Sequence, residues 1–188
     1  MSSSIHLIGI SGSLRKGSLN TSLLHAAKEL LPEGVTLEII SIADIPFYNG
    51  DLDLPTAEER PATVQKFRDL IAAADGIVIA SPEYNYSVPG GLKNAIDWAS
   101  RGDDSPLKNK PVALMGASPS LWGTVRMQLA FLPIFLFLSM KVAEKPEVLV
   151  AQANKKFDEN GKLTDDITRG LITKKLLALK EIISANKK

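Results

Sequence analysis

The chain has 188 residues, of which 45% are apolar and 23% charged, and a formal net charge of +1. That length predicts one domain over residues 1–188, large enough for a full core, and the composition excludes a disordered chain. The balanced charge argues against a dedicated nucleic-acid binder, and the lack of cysteine removes disulfides, thiolate metal sites and a cysteine nucleophile.

The histidines are His6 and His25, too few for a multi-histidine metal centre. The N-terminal stretch MSSSIHLIGISGS has no basic flank before a long apolar region, so it does not read as a signal peptide. The longest apolar run, Leu129 to Leu138, is about half of what a bilayer span needs, and Pro133 interrupts it. A soluble, cytoplasmic protein without a membrane span is expected.

Taken in order, Ile5 to Ile10 is a short apolar run ending in Gly and Ser, and reads as a buried strand. Asn20 to Leu31 carries Leu23, Leu24, Ala27, Leu30 and Leu31 at helical spacing, and Pro32-Glu33-Gly34 stops it. Val35 to Ile42 is a β-branched second strand, 43–61 an irregular Pro- and Asp-containing loop, and Val64 to Ala74 a helix. Gly76 to Ala80 is the strongest strand signal. Pro89 to Ser100 reads as a helix with Ser87 placed to cap it and Pro89 suited to its first turn. Pro111 to Gly116 is a fourth strand. Ser118-Pro119 predicts a helix running to about Ser139, in which Pro133 should cause a kink or an end. Glu147 to Val150 is a last strand, 154–162 a polar hairpin or loop, and Asp165 to Ala185 an amphipathic helix.

Strands alternating with helices predict an α/β, doubly wound parallel sheet of five strands with helices on both faces. In such folds ligands sit beyond the carboxyl ends of the strands, at a switch in strand order. The loops after the first, third and fourth strands are therefore the places to look.

The first loop, Gly9 to Thr21, gathers Ser11, Ser13, Ser18, Thr21, Asn20, Arg15 and Lys16 around Gly12 and Gly17. Short hydroxyls, a cation and backbone N–H groups before a helix start suit a dianionic phosphate. GxGxxG, GxxxxGK[ST] and GxSxG all fail here, because Ser11, the missing Gly-Lys pair and Ser13 break them. A plain Ser/Gly turn is the alternative. The second loop holds Pro82, Glu83, Tyr84, Asn85, Tyr86 and Pro89, followed by Gly90 and Gly91. It could offer backbone N–H groups to a planar heterocycle, or its tyrosines could simply pack. Glu83 has no evident partner in the sequence, and Lys93 and Asp97 are spaced for a helical ion pair. The third loop, Gly116 to Thr124, is small and hydroxylated around Ser118, with Trp122 either a wall of the site or core.

GSLRKGSLN at 12–20 followed by SPEYNYSVPGGLKNAIDW at 81–98 resembles the NADPH-dependent FMN reductase family of flavodoxin-like proteins, and within it the bacterial quinone and chromate reductases. KPEV at 145–148 and KFDENGKLTDD at 156–166 carry the resemblance further along the chain. It implies a flavodoxin-like fold and non-covalently bound FMN. The phosphate would lie on Ser11, Ser13, Leu14, Arg15, Ser18, Leu19, Asn20 and Thr21. The isoalloxazine edge would meet Pro82, Glu83, Tyr84 and Asn85, with Ser118 nearby. It further implies NADPH or NADH as electron donor, and quinones, azo compounds, free flavin or chromate as acceptors. Assembly as a homodimer or homotetramer, and no side chain acting as acid or base, complete the expectation. The apolar run at 129–138 departs from the family pattern and suits a subunit interface. An electron carrier of the flavodoxin type shares fold and cofactor but is usually strongly acidic. A serine hydrolase on Ser11 or Ser118 would need a histidine that neither His6 nor His25 is placed to supply.

Overall fold

The computed structural model describes residues 4–186. Residues 1–3, where the stretch without a leader pattern begins, and 187–188, the end of the expected domain, lie outside the described residues. The first strand, β1 (Ile5–Ser11), is followed by α1 (Leu19–Glu29), β2 (Val35–Ile40), α2 (Ala62–Ala73) and β3 (Gly76–Ala80). The second half runs α3 (Gly90–Ser100), β4 (Pro111–Ala117), α4 (Val125–Phe137), β5 (Lys141–Val142), β6 (Val148–Val150) and α5 (Asp166–Asn186).

All strand pairs are parallel, in the order β2-β1-β3-β4-β5, with β6 also on β4. The chain steps outward from β1 to β2 and then back across to β3. The switch in winding direction therefore lies between β1 and β3, and the crevice of a doubly wound sheet opens there. Helices α1 and α5 cover one face through Leu23, Leu24, Ile172, Leu176 and Leu179. Helices α2, α3 and α4 cover the other through Phe67, Ile71, Leu92, Ile96, Met127, Phe131 and Phe135. Burial on both faces explains why β3 and β4 read as unbroken apolar runs.

The expected fifth strand is divided. β5 pairs with the start of β4 and β6 with its end; Ala143 still donates its N–H to Val112 at 2.8 Å, and residues 144–147 leave the ladder between them. The carbonyls of Ala143 and Glu144 accept from Lys175 Nζ at 2.8 and 3.1 Å. Lys175, carried by α5, is 4% exposed. Burial pushes Lys175 from its ordinary 10.5 down to about 8, against the pull of Glu147 and Glu144 and with the push of Lys145.

Two local expectations are corrected and a third is narrowed. Ser118-Pro119 does not open a helix. Ser118 N–H donates to Val150 (3.0 Å) and the carbonyls of Ser118 and Ser120 accept from Ala153 and Gln152, so the segment is tied to the chain after β6. The helix waits until Val125, after Gly123 at φ 59°. Ser87 does not cap α3 either: it exchanges backbone hydrogen bonds with Tyr84, and Pro89 precedes the helix. Pro133 does not end α4. The N–H it lacks would have served the carbonyl of Leu129, and both residues lie on the exposed side, where water can take that role.

Candidate functional site

The loops after β1, β3 and β4 meet at the carboxyl edge of the sheet. Glycine makes the junction possible. Gly12 donates its N–H to Ala80 at 2.8 Å, and a Cβ there would fall 2.4 Å from Ser81 Oγ. A Cβ on Gly116 would fall 2.4 Å from the Ser81 carbonyl oxygen and closer still to Thr124 Oγ1. The loops are thus locked against one another by backbone contact.

In the first loop Ser18 caps α1, accepting from the N–H groups of Asn20 and Thr21 at 3.2 and 3.3 Å. Thr21 Oγ1 donates to Ser11 Oγ at 2.9 Å, and Ser11 Oγ also accepts from the Ser13 N–H. Asn20 is buried. Its amide donates to the Ala117 carbonyl at 2.9 Å and accepts from the Ala117 N–H at 2.8 Å, clamping the start of α1 to the end of β4. Leu19 is half-buried against the α1 core face, while Leu14 and Arg15 stand exposed. The Arg15 guanidinium makes one bond, from Nη2 to the Gly17 carbonyl at 3.3 Å, and its backbone N–H donates to Ser13 Oγ at 3.4 Å. Among the described residues the N–H groups of Leu14, Lys16 and Gly17 have no acceptor in the chain. An exposed cation beside free backbone donors at a helix N-terminus fits a phosphate.

The second loop is a tight reversal. Tyr84 and Ser87 exchange backbone bonds at 3.1 and 2.9 Å across Asn85 and Tyr86, both left-handed at φ 49° and 63°. Tyr84 and Tyr86 are not packing residues: they are 49% and 68% exposed. Pro82 and Glu83 are half-buried, and Ser81 is fully buried with its hydroxyl on the Pro82 carbonyl. Glu83 does have a partner. Oε2 accepts from the N–H groups of Arg126 and Met127 at 2.9 and 3.1 Å, at the start of α4. The guanidinium of Arg126 lies 4.0 Å from the Tyr86 ring and 5.8 Å from that of Trp122. Trp122 is exposed and so a neighbour of the site, not core. Ser118 is half-buried with its hydroxyl 3.1 Å from that of Ser120.

Sequence reasoning missed Arg126, since no local spacing ties it to Glu83. It also missed the clamp on the loop after β2. Asn94 accepts from the Tyr48 N–H and donates to the Pro46 carbonyl, both at 2.8 Å, and Trp98 Nε1 donates to that same carbonyl. The expected Lys93–Asp97 pair is present at 2.7 Å. The histidines lie elsewhere: His6 contacts Thr36 near the start of β1, and His25 is an exposed residue of α1. Neither stands beside Ser11 or Ser118, so the serine-hydrolase alternative has no base. Among the described residues no cluster of His, Asp and Glu could hold a metal ion, and no helix is long and apolar enough to cross a membrane.

Residues 5–155 match the sequence profile of a family described as NADPH-dependent FMN reductase. The chain belongs to that family. An NAD(P)H-dependent FMN reductase of Pseudomonas aeruginosa is 46% identical over 179 residues, 95% of each chain. A quinone reductase of Escherichia coli K12 is 42% identical over 185 residues, 97% of each. Among solved structures, the flavoenzyme NAD(P)H:(acceptor) oxidoreductase FerB of Paracoccus denitrificans superposes with a TM-score of 0.84 at 30% identity, covering 96% of this chain and 98% of its own. The matched span contains all the strand-end loops described above, so the family resemblance and the loop geometry fall on the same residues.

Proposed function

We propose that the protein is an FMN-dependent NAD(P)H oxidoreductase that reduces quinones and similar acceptors by a ping-pong cycle. The observation that supports this most is a family match spanning the very loops that converge at the β1/β3 switch point. When bound, FMN would supply the two-electron redox chemistry between NAD(P)H and the acceptor. The chain supplies binding and position.

The phosphate would be held by Arg15 and by the free N–H groups of Leu14, Lys16 and Gly17, with the Ser13 hydroxyl beside them; the hydroxyls of Ser11 and Thr21 would join by turning from their present acceptors, the Ser13 carbonyl and Ser11 Oγ. Ser18 and Asn20 take part by fixing the loop, since their side-chain oxygens and amide are spent on the helix start and on Ala117. Leu14 and Leu19 flank the loop. The ring edge would meet Pro82, Glu83, Tyr84 and Asn85, whose backbone is held by the Tyr84–Ser87 reversal, with Ser118 on the third loop completing the set. The site needs no side-chain acid or base, and the carboxylate of its second loop, Glu83, is spent on the start of α4. Tyr84, Tyr86 and Trp122 form an exposed aromatic border suited to flat acceptors.

The exposed apolar stripe of α4, Leu129, Leu132, Leu136 and Phe137, supports a homodimer or homotetramer that buries it. The activity is tested by following NADPH and NADH oxidation with 1,4-benzoquinone as acceptor. Turnover that scales with FMN content is expected. FMN-loaded protein that oxidises neither nucleotide contradicts the proposal.

A further inference from the structure

Glu83 is the unusual residue of the second loop. It sits in the segment assigned to the ring edge, yet its side chain is 9% exposed and turned away to another element. Helix α4 has no side-chain cap of its own: Thr124, at its N-cap position, makes no capping bond. Its first-turn N–H groups at Arg126 and Met127 would be orphans without Glu83 Oε2, which comes from 43 and 44 residues earlier. Glu83 Oε1 also lies 3.4 Å from Arg126 Nη1, and Arg126 in turn covers the Tyr86 ring. One carboxylate therefore joins the loop after β3 to the helix after β4. The loop it holds contains two consecutive left-handed residues, a conformation that persists only when its surroundings impose it.

We infer that Glu83 is a positioning residue. Its carboxylate, capping α4 across the sheet edge, fixes the backbone of residues 82–85 in the place where the flavin ring edge meets it. The inference rests on the FMN reading above and adds a role for this side chain. What matters is reach, because the two N–H donors are met by an oxygen at the end of a two-carbon arm. Charge matters less, because a helix N-terminus is capped by a neutral oxygen as well.

Three variants of the full chain separate these roles: Glu83→Ala, Glu83→Gln and Glu83→Asp. Each is stripped of flavin and titrated with FMN. The dissociation constant, the shape of the visible bands and the midpoint potential of the bound flavin are then recorded. The melting temperature of each apoprotein shows that the titration is done on folded protein. Glu83→Ala should weaken FMN about tenfold, the scale of a lost capping hydrogen bond, and alter the bands. Glu83→Gln, which keeps the reach, should stay within about threefold of wild type. Glu83→Asp, which keeps the charge and loses the reach, should fall near the alanine variant. Should Glu83→Ala not fold, the Gln and Asp pair still decides. Wild-type affinity in Glu83→Asp, or a loss in Glu83→Gln as large as in Glu83→Asp, overturns the positioning role and leaves the FMN reading standing. Wild-type protein that takes up no FMN overturns both.

Discussion

Arg15 and Asn20 sit five residues apart in one loop and do opposite work. Arg15 is exposed and spends a single donor on the Gly17 carbonyl, so most of its planar fork is free for a ligand. Asn20 is buried and spends its amide on both backbone groups of Ala117. The two alanine variants should therefore separate. Arg15→Ala should weaken FMN binding at least tenfold, with little change in hydride transfer within the loaded fraction, measured by fluorescence titration and anaerobic stopped-flow. Unchanged affinity would move the phosphate elsewhere. Asn20→Ala should cost about 2–4 kcal/mol of stability in urea, because it orphans a buried N–H and a buried carbonyl. The sequence lists both as polar loop residues. Only the packing of α1 on the end of β4 shows which of them looks outward.

Among the elements, α4 and the loop after β2 carry most of what the sequence did not disclose. α4 reads as apolar all round, and a period that marks no face cannot say which side is buried. In the fold Met127, Phe131 and Phe135 face the sheet, while Leu136 stays 81% exposed beside Leu132. Leu132→Glu combined with Leu136→Glu should leave the monomer folded and shift sedimentation toward the monomer mass. An assembly of unchanged mass would place the interface on another surface. The loop after β2 is irregular, as its prolines and acidic residues imply, yet it is anchored by charge. Arg60 is buried, with Nε 2.6 Å from Asp53 and its terminal nitrogens on Asp104 at 3.0 and 3.2 Å. Arg68, equally buried, also meets Asp104, at 2.9 Å. Burial works against the Asp104 carboxylate, but hydrogen bonds from Arg60 and Arg68 outweigh it and hold its pKa below the usual value. Arg60→Met should cost about 3–5 kcal/mol in denaturant unfolding, since it leaves the buried Asp53 without its cation. A cost near zero would mean that the loop relaxes and admits water. Composition gives no sign of such a network, because its members are ordinary charged residues until the chain folds them together.

At the scale of the whole molecule, the doubly wound plan was legible because the buried strands are short, apolar and separated by helical periods. The division of the last strand was not. Lys141 and Val142 are too few to register as a strand, and the need to serve the carbonyls of Ala143 and Glu144 is visible only once Lys175 is seen beside them. That lysine gives the fold a pH signature. Its folded pKa of about 8 lies below the 10.5 of the unfolded chain, so between those values the unfolded state binds more protons. Stability should accordingly rise as the pH increases from about 8 toward 10.5, and the ammonium should weigh on the fold below that window. Lys175→Met should flatten this rise relative to wild type in denaturant titrations across the window. Parallel pH curves for the two proteins would show that the rise does not come from Lys175. The convergence of three loops on the β1/β3 switch point is the larger feature, and it makes the central claim directly testable. Purified protein is incubated with FMN, freed of excess flavin, and its visible spectrum is recorded before and after anaerobic addition of NADPH. Retained oxidised-flavin bands that bleach on addition are the predicted result. A spectrum without flavin bands after the incubation, or bands untouched by both NADPH and NADH, would contradict it.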